Sequence, residues 1–384
     1  MEQRRAEFVD VLGSLVDVDS GTFTPEGVNK VADLCEERFH ARGWDVERRS
    51  HVPAEGKQQF GDLLIGRIGD DGPRVLMIGH TDTVFPEGTV AERPFAVEGD
   101  RALGPGVCDM KSGLLAGFFA VELLLDAGTL PARVTYVCNP DEEIGSRFSR
   151  ATIEELAGDA DVAFVLEPAR GNGELVTARK GVSDMRVFIT GRAAHAGVEP
   201  HRGASAVLDA ANKVIELHEL NGQWPGVTVN AGVLRGGTRP NVVADRCEIH
   251  VDIRAPSEEA LRAAEAAATR IAEDPTVEGT TSSVRLAANH RPMERTESSA
   301  RLLELARSVA GELGFDVGER ATGGASDANT TAAAGVPTLD GLGPIGGAAH
   351  SASEWTDLTS VVPRISLLAG LIARVGELEG GARG

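Results

Sequence analysis

The sequence predicts an α/β fold, in which a mainly parallel sheet has helices on both faces, together with a smaller α+β domain inserted into it. Apolar runs at Val75–Ile78, Val134–Val137 and Val162–Leu166 are short enough for buried strands, and helical stretches such as Ser112–Ala127 separate them. Strands that alternate with helices are typical of a parallel sheet. The inserted domain is predicted from a change of pattern over residues 182–291.

Two amphipathic helices are predicted ahead of the sheet. Apolar residues recur at helical spacing from Phe8 to Leu15 and again from Val28 to Phe39. A last strand is predicted at Thr338–Leu342, beyond the insertion. We therefore expect a discontinuous first domain made of residues 1–181 and 292–384.

The inserted segment has the pattern of a small, mostly antiparallel sheet with two helices. Such an arrangement suits a segment of this length. The predicted strands are Met185–Ile189, Val227–Leu234 and Cys247–Ile253, and the predicted helices lie near Ala204–Leu220 and Ser257–Glu273.

The composition argues against several classes of function. The chain has 38 basic and 58 acidic residues and a formal charge of −20, and such a surface repels phosphate backbones and anionic membranes. Neither a nucleic acid nor a membrane is therefore expected as a partner. Four cysteines without a CxxC pair predict a reducing compartment. Since no secretory signal or membrane-length apolar stretch is found either, a cytoplasmic location is expected.

Two motifs each contain a candidate metal ligand. In His80-Thr81-Asp82, residues two apart in an extended chain point the same way. The Asp82 carboxylate is therefore expected to accept the second ring N–H of His80 and to raise its basicity as a ligand. Asp109 lies in a glycine-rich turn before a helix, and its two oxygens can bridge two metals. The alternatives are a polar loop for the first motif and a helix-capping aspartate for the second.

Four further residues complete a candidate metal site. Glu142 and Glu143 follow the second predicted strand, Glu167 ends the third, and His350 lies in a glycine-rich loop. Adjacent side chains diverge, so one of the paired glutamates can ligate a metal while the other acts as general base. A solvated acidic turn is the alternative for this pair. Two histidines and three carboxylates, with a spare glutamate, supply the ligands of a dinuclear zinc or cobalt site.

These segments resemble the aminoacylase and glutamate carboxypeptidase family of dinuclear zinc peptidases, which also includes acetylornithine deacetylase and succinyl-diaminopimelate desuccinylase. The resemblance implies a zinc-peptidase catalytic domain and, in the insertion, a lid and dimerisation domain. The matching segments follow the family order from about residue 75 to 355, and they are HTDTV, GPGVCDMKSG, DEEIGS, the Glu-Pro at 167, GRAAHAG, RPNVV, GGASDAN and the loop with His350.

The resemblance implies a role for each candidate ligand. His80 and Glu167 would bind one metal ion, Glu143 and His350 the other, and Asp109 would bridge the two. The implied ions are two Zn²⁺, and the ligand types do not separate zinc from cobalt or manganese.

Catalytic and positioning roles are implied in the same way. Glu142 becomes the general base, which takes a proton from the attacking water and passes it to the leaving nitrogen. Asp82 supports His80. The Asp109-Met110 peptide bond matches the position that is cis in this family.

Three residues of the insertion resemble substrate-contacting residues of the family lid. His195 would stabilise the oxyanion in the active site of a neighbouring subunit, which implies a homodimer. Arg254 and Asn241 would hold the substrate carboxylate, a role that suits the rigid fork of an arginine. A turn histidine and a solvated arginine are the alternatives.

The sequence thus predicts a metallo-exopeptidase or amidohydrolase of the glutamate carboxypeptidase type. Its substrates would be small molecules or peptides with a free carboxylate. One alternative is an N-acyl amino acid deacylase of the acetylornithine or succinyl-diaminopimelate type. The other is a metal-free binding relative that has lost catalysis.

Overall fold

Helices and short strands alternate in the first part of the chain. The helices are α1 (Arg5–Val16), α2 (Pro25–Ala41), α3 (Thr89–Glu92), α4 (Ser112–Asp126) and α5 (Arg150–Asp159). The strands are β1 (Asp45–Arg49), β2 (Leu63–Ile68), β3 (Arg74–His80), β4 (Ala96–Glu98), β5 (Arg101–Leu103), β6 (Arg133–Asn139), β7 (Val162–Val165) and β8 (Leu175–Arg179). Phe8 and Leu12 on α1, and Val31 and Phe39 on α2, are buried at the spacing that predicts these helices.

The middle of the chain forms an antiparallel sheet with two helices. Its elements are β9 (Gly181–Thr190), α6 (Ala206–His218), β10 (Thr228–Gly236), β11 (Arg246–Ala255), α7 (Glu258–Glu273) and β12 (Thr281–His290). The strand order is β10-β11-β9-β12, and every neighbouring pair is antiparallel. β12 has no counterpart among the predicted strands, because most of its residues are small or polar and give no apolar alternation.

The chain then returns to helices and very short strands. These elements are α8 (Glu297–Glu312), β13 (Glu319–Thr322), α9 (Asp327–Ala333), β14 (Thr338–Leu339), β15 (Gly346–Gly347), β16 (Trp355–Asp357) and α10 (Val361–Arg374).

This computed structural model describes residues 1–378, apart from the side chains of residues 288 and 289. The described chain divides into two units. The first comprises Met1–Thr177, Arg295–Ala321 and the residues from Ser326 onward, and the second comprises Ala178–Glu294 and Thr322–Ala325. None of the described helices is long and apolar enough to cross a membrane.

Residues 322–325 belong to the second unit, although the sequence places them with the first domain. Backbone and side-chain hydrogen bonds hold them there. Lys180 N–H donates to the carbonyl of Thr322 at 3.1 Å. Arg179 Nη1 donates to the carbonyl of Gly324 at 2.9 Å.

The central sheet of the first unit has the strand order β1-β2-β6-β3-β7-β14. β3 is parallel to both β6 and β7, and β14 is parallel to β7. Helices and a mainly parallel core are therefore present as the sequence predicts. β1 and β2 join one edge in antiparallel pairings, which the sequence does not predict.

Parallel pairing brings polar residues to one edge of this sheet. His80, the last residue of β3, pairs in register with Asn139, the last residue of β6. Helix α4 approaches the end of the neighbouring strand closely, because a Cβ at Gly113 would lie 1.9 Å from the carbonyl oxygen of Leu166. The residue after Leu166 is Glu167. Ligands of α/β sheets gather at this carboxyl edge.

A second, small sheet in this unit joins two distant parts of the chain. Its strand order is β15-β16-β5-β4, with Trp355 opposite Leu103. β5 leads directly into the glycine-rich turn of Asp109, and the loop between β15 and β16 carries His350. The pairing therefore places these two loops side by side.

Candidate metal centre

All five predicted metal ligands lie in the first unit. Three of the contributing segments follow the parallel strands β3, β6 and β7, and two are the loops joined by the small sheet.

His80 is buried, with 1% of its side chain exposed. Its Nδ1 lies 2.9 Å from the backbone carbonyl oxygen of Asp82. Since a carbonyl only accepts hydrogen bonds, Nδ1 carries the proton and Nε2 keeps a lone pair for a metal. Nε2 lies 3.2 Å from Asp109 Oδ1 and 3.8 Å from Glu167 Oε1.

The carboxylate of Asp82 has different main partners from the one that the sequence predicts. Its Oδ1 lies 3.4 Å from His80 Nδ1, farther away than the carbonyl oxygen. Oδ1 accepts the backbone N–H of Glu142 at 3.2 Å. Oδ2 accepts the backbone N–H of Glu143 at 3.2 Å and the hydroxyl of Thr22 at 2.6 Å. The predicted contact between the Asp82 carboxylate and the His80 ring is therefore present at 3.4 Å, but it is longer than the contacts with the backbone and with Thr22.

Asp109 lies between the two histidines. Its Oδ1 is 3.2 Å from His80 Nε2, and its Oδ2 is 3.2 Å from His350 Nε2. Burial acts to raise the pKa of this carboxyl, but hydrogen bonds with His350 and His80 hold the pKa below its ordinary range. The Asp109-Met110 peptide bond is cis, as the resemblance implies. One oxygen facing each histidine is the geometry that a bridging carboxylate requires.

Glu143 and His350 approach each other on the far side of Asp109. Glu143 Oε2 lies 3.2 Å from His350 Nε2. The other oxygen, Glu143 Oε1, is buried without a hydrogen-bond partner among the described residues. Hydrogen bonds with Asp109 and Glu143 raise the pKa of His350 to about 10. Two carboxylates therefore face the ring nitrogen of His350.

Several carboxylates lie close together at this site. Burial, and then repulsion from Glu167, raise the pKa of Glu142 well above its ordinary range. Potential ligand atoms of His80, Asp109 and Glu143 lie within 4.8 Å of one another, as do those of His80, Glu142 and Glu167. Like charges this close are costly unless a cation balances them. The mixed N and O donors fit zinc, cobalt or manganese.

A buried network that the sequence analysis does not assign supports the turn of the paired glutamates. Ser146 Oγ donates to Asp327 Oδ1 at 2.5 Å, and Asn139 Nδ2 donates to Asp327 Oδ2 at 2.6 Å. Ser146 has a φ of 52°, in the left-handed region. Burial raises the pKa of Asp327 to about 6, although both hydrogen bonds oppose this. Asp327 is also the first residue of α9, and an aspartate at the start of a helix is indistinguishable in sequence from one that only stabilises the helix end.

Glu354 is a second residue that the sequence analysis misses. It is buried and accepts the backbone N–H groups of Gly106, Cys108 and Asp109. Burial raises its pKa to about 7 despite these hydrogen bonds. The only signal in the sequence is its spacing of four residues from His350, which gains meaning once the pairing of β16 with β5 is known.

His195 and Asn241 lie in the second unit, in neighbouring exposed turns. Nδ1 of His195 accepts the N–H of Gly197 at 3.2 Å. The carbonyl of Asn241 accepts the N–H of Ala196 at 3.0 Å. The structure thus brings these two predicted substrate contacts together within their own unit.

Arg254 lies on β11 of the same unit and already has partners there. Its Nε donates to Asp252 Oδ1 at 2.9 Å, and its Nη1 donates to the carbonyl of Gly323 at 2.9 Å. The guanidinium of Arg254 is therefore already paired with Asp252.

The fold and the clustered residues define a class of protein. A mainly parallel α/β sheet that collects histidines and carboxylates at its carboxyl edge is the framework of a metal-binding hydrolase. The chain belongs to Peptidase family M20/M25/M40, whose sequence model matches residues 76–374. The resemblance drawn from the motifs is therefore confirmed, and the chain is a metallopeptidase-family hydrolase.

Three similar proteins illustrate the range of the family. Carboxypeptidase G2 from Pseudomonas sp. (strain RS-16) is 29% identical over 373 residues, which cover 96% of this chain and 89% of that protein. Acetylornithine deacetylase from Myxococcus xanthus is 30% identical over 258 residues, 63% of this chain and 65% of that protein. The YXEP protein of Bacillus subtilis, described as a dinuclear metal binding peptidase from the M20 family, superposes with a TM-score of 0.73 at 16% identity, covering 98% of this chain and 99% of that one.

Proposed function

We propose that this protein is a dinuclear metal-dependent hydrolase of the glutamate carboxypeptidase type, which cleaves an amide bond and releases an amino acid with a free carboxylate. The observation that carries the proposal is the position of Asp109, with one oxygen 3.2 Å from His80 and the other 3.2 Å from His350. The similarity to carboxypeptidase G2 over 96% of the chain supports the carboxypeptidase branch.

In this proposal, His80 and Glu167 hold one ion, Glu143 and His350 hold the other, and Asp109 contributes an oxygen to each. The unpartnered Oε1 of Glu143 supports a ligand role for that residue. Zinc is the proposed metal, with cobalt and manganese as alternatives. Divalent ions bound there would polarise the scissile carbonyl and make water more acidic.

Glu142 is the proposed general base. A carboxylate oxygen of Glu142 would accept a proton from the attacking water and then deliver it to the leaving nitrogen. The residue is suited to this because its backbone N–H is held by Asp82 at 3.2 Å, while its side chain lies among His80 and Glu167. A fixed backbone keeps the carboxylate in reach of the reacting atoms.

The second unit is proposed as a lid that supplies substrate contacts. Arg254 and Asn241 would bind the substrate carboxylate, and His195 would donate to the developing oxyanion of a neighbouring subunit. Exposed apolar side chains on α6 and on β10 support a homodimer through this unit, since apolar residues on a surface helix and an edge strand favour association. These exposed residues are Leu208, Ile215, Val233 and Leu234.

A cytoplasmic location is proposed on the cysteine content. All four cysteines are free and buried. Free thiols persist in a reducing compartment.

The test measures metal content and hydrolysis together, on the wild type and on Glu142→Ala. The substrates are a glutamate-terminated dipeptide, an N-acylglutamate and N-acetylornithine, and Glu297→Ala at an exposed position of α8 is the control. We expect two metal ions per chain in all three proteins. Turnover of the glutamate substrates is expected in the wild type and the control only.

Other outcomes would decide against parts of the proposal. Turnover of N-acetylornithine alone would make the protein an N-acyl amino acid deacylase. Absence of both bound metal and hydrolysis in the wild type would leave a non-catalytic binding protein. Full activity in Glu142→Ala would remove the proposed general base.

A further inference from the structure

Glu354 is a buried carboxylate whose hydrogen bonds all point to one loop. Glu354 is only 1% exposed. Its Oε2 accepts the N–H of Gly106 at 3.1 Å, and its Oε1 accepts the N–H groups of Cys108 at 2.8 Å and Asp109 at 2.9 Å. Three backbone donors on one carboxylate fix that segment of chain.

The strand that follows Glu354 contacts the same loop. Thr356 Oγ1 donates to the carbonyl of Val107 at 2.8 Å. Both side chains contact the Asp109 loop, so Glu354 and Thr356 act on it together. Glu354 engages the N–H groups of the loop and Thr356 engages a carbonyl.

This loop needs external support because it is not regular structure. Gly106 has a φ of 74°, and the backbone of Asp109 is not helical although α4 begins three residues later. The direction of the Asp109 side chain therefore depends on the contacts that its loop makes with the rest of the unit. Glu354 is the residue that binds the N–H of Asp109 itself.

We propose that Glu354 is a positioning residue for the metal centre, which holds the Asp109 loop so that each oxygen of the Asp109 carboxylate faces one ion. This inference rests on the proposed dinuclear function. Asp109 would contact both ions, so loss of Glu354 weakens the binding of both. Loss of a terminal ligand such as Glu167 weakens mainly the binding of one ion.

The test is the stepwise Kd of Co²⁺, measured by chelator competition and followed by the visible absorption of bound cobalt. The proteins are wild type, Glu354→Gln, Glu354→Asp, Thr356→Val and Glu167→Gln. Glu354→Gln keeps the size of the side chain but replaces one acceptor oxygen with an NH₂ group that cannot accept. Glu354→Asp keeps the charge but shortens the reach.

The matched control is Asp161→Asn. Asp161 also accepts a backbone N–H, that of Arg74 at 2.8 Å. Arg74 begins β3 and His80 ends it, so this contact lies about 20 Å from the metal site at about 3.3 Å per residue. Thermal unfolding of each metal-free variant confirms that the Kd is measured on folded protein.

We expect Glu354→Gln to raise both Kd values about 10–100-fold and to change the cobalt spectrum, the size of effect typical of residues that orient metal ligands. Thr356→Val should raise both to a smaller extent, and it keeps the test open if Glu354→Gln does not fold. Asp161→Asn should leave both Kd values unchanged.

Three outcomes distinguish this inference from the proposed function. If the wild type binds no metal, the proposed function itself is wrong. If the wild type binds two ions and the folded Glu354→Gln binds them equally well, Glu354 has no positioning role. If binding weakens only for the ion that Glu167→Gln leaves unchanged, Glu354 acts through its own loop, which carries His350, and the assignment to Asp109 is overturned.

Discussion

Asp82 Oδ1 accepts the backbone N–H of Glu142 at 3.2 Å, so the residue predicted to orient a histidine also fixes the proposed general base. Oδ2 of the same side chain accepts the backbone N–H of Glu143, and the backbone carbonyl oxygen of Asp82 accepts a hydrogen bond from His80. One residue thus connects the end of β3 to the turn after β6.

Asp82→Asn is expected to lower kcat about 10–100-fold, a typical effect of losing a residue that orients metal ligands. The amide NH₂ leaves one of the two backbone N–H groups without an acceptor, so Glu142 loses its fixed position. Steady-state kinetics at saturating metal measure the change. Thr22→Val is the control, since it removes only a hydroxyl donor to Asp82. An equal loss in both variants would contradict the proposed role of the two backbone contacts.

Removal of metal is expected to lower thermal stability. Ions that bind only the folded state stabilise it by about 4 kcal/mol per site when their concentration is about 1,000 times Kd. Chelation should therefore lower the Tm by at least several degrees, and added zinc should restore it. Differential scanning calorimetry with and without chelator measures this. An unchanged Tm would mean that the clustered carboxylates are balanced in another way.

Asp327 should make stability depend on pH. Burial raises its pKa to about 6 in the folded chain, above the ordinary value of about 3.9 in the unfolded chain. The folded state therefore binds the proton more tightly, so this stabilisation is present below about pH 4 and is lost as the pH rises through about 6. A shift of about two units corresponds to at most about 3 kcal/mol.

The free energy of unfolding is measured in urea for the metal-free wild type and for Asp327→Asn, at several pH values between about 4.5 and 7. The result compared is how the difference between the two proteins changes with pH. We expect the wild type to lose stability relative to the variant across this range. A constant difference would show that Asp327 keeps an ordinary pKa.

Arg254→Lys is expected to raise KM for a glutamate-terminated dipeptide about 10–100-fold with a smaller change in kcat. A lysine cannot pair with the carboxylate in bidentate fashion, and hydrogen bonds to charged groups contribute about 1.5–3 kcal/mol. Arg262→Lys, an exposed position on α7, is the control. The same substrate with its terminal carboxylate amidated should bind both proteins alike, and an equal KM increase for it would refute carboxylate recognition.

His195→Ala should lower kcat by about 10²–10³-fold, the usual cost of removing an oxyanion donor. If His195 acts in the neighbouring subunit, a mixture with Glu142→Ala should regain activity after subunit exchange, because one hybrid site then has both residues. Activity of the mixed variants, compared with that of each alone, checks this. Failure of complementation between variants that do exchange would place His195 and Glu142 in the same subunit or remove the proposed role.

The sequence predicts the parallel core of the central sheet because β3, β6 and β7 are mostly apolar runs. β3, β6 and β7 end where polar residues begin, so the carboxyl edge and the residues on it are readable in advance. The small sheet is not readable. β15 and β16 have only two and three residues, and their glycines and polar side chains carry no period that indicates a strand.

Residues that act through long-range hydrogen bonds are missed for a related reason. Glu354 and Asp327 are recognised by which N–H or hydroxyl groups they meet, and those partners lie more than 180 residues away along the chain. Asp82 shows the same limit at short range, since its direction depends on how the chain turns after His80. Sequence patterns indicate the chemical type of a residue, whereas these roles depend on contacts that form only in the folded chain.

The pairing of β16 with β5 also bears on when the protein becomes competent during synthesis. Asp109 emerges early, but its partner His350 follows only after the whole of Ala178–Glu294 has been made. A nascent chain can complete β3, β6 and β7 while the proposed second ion position still lacks its histidine. In the proposed function, hydrolytic competence is therefore gained late in translation.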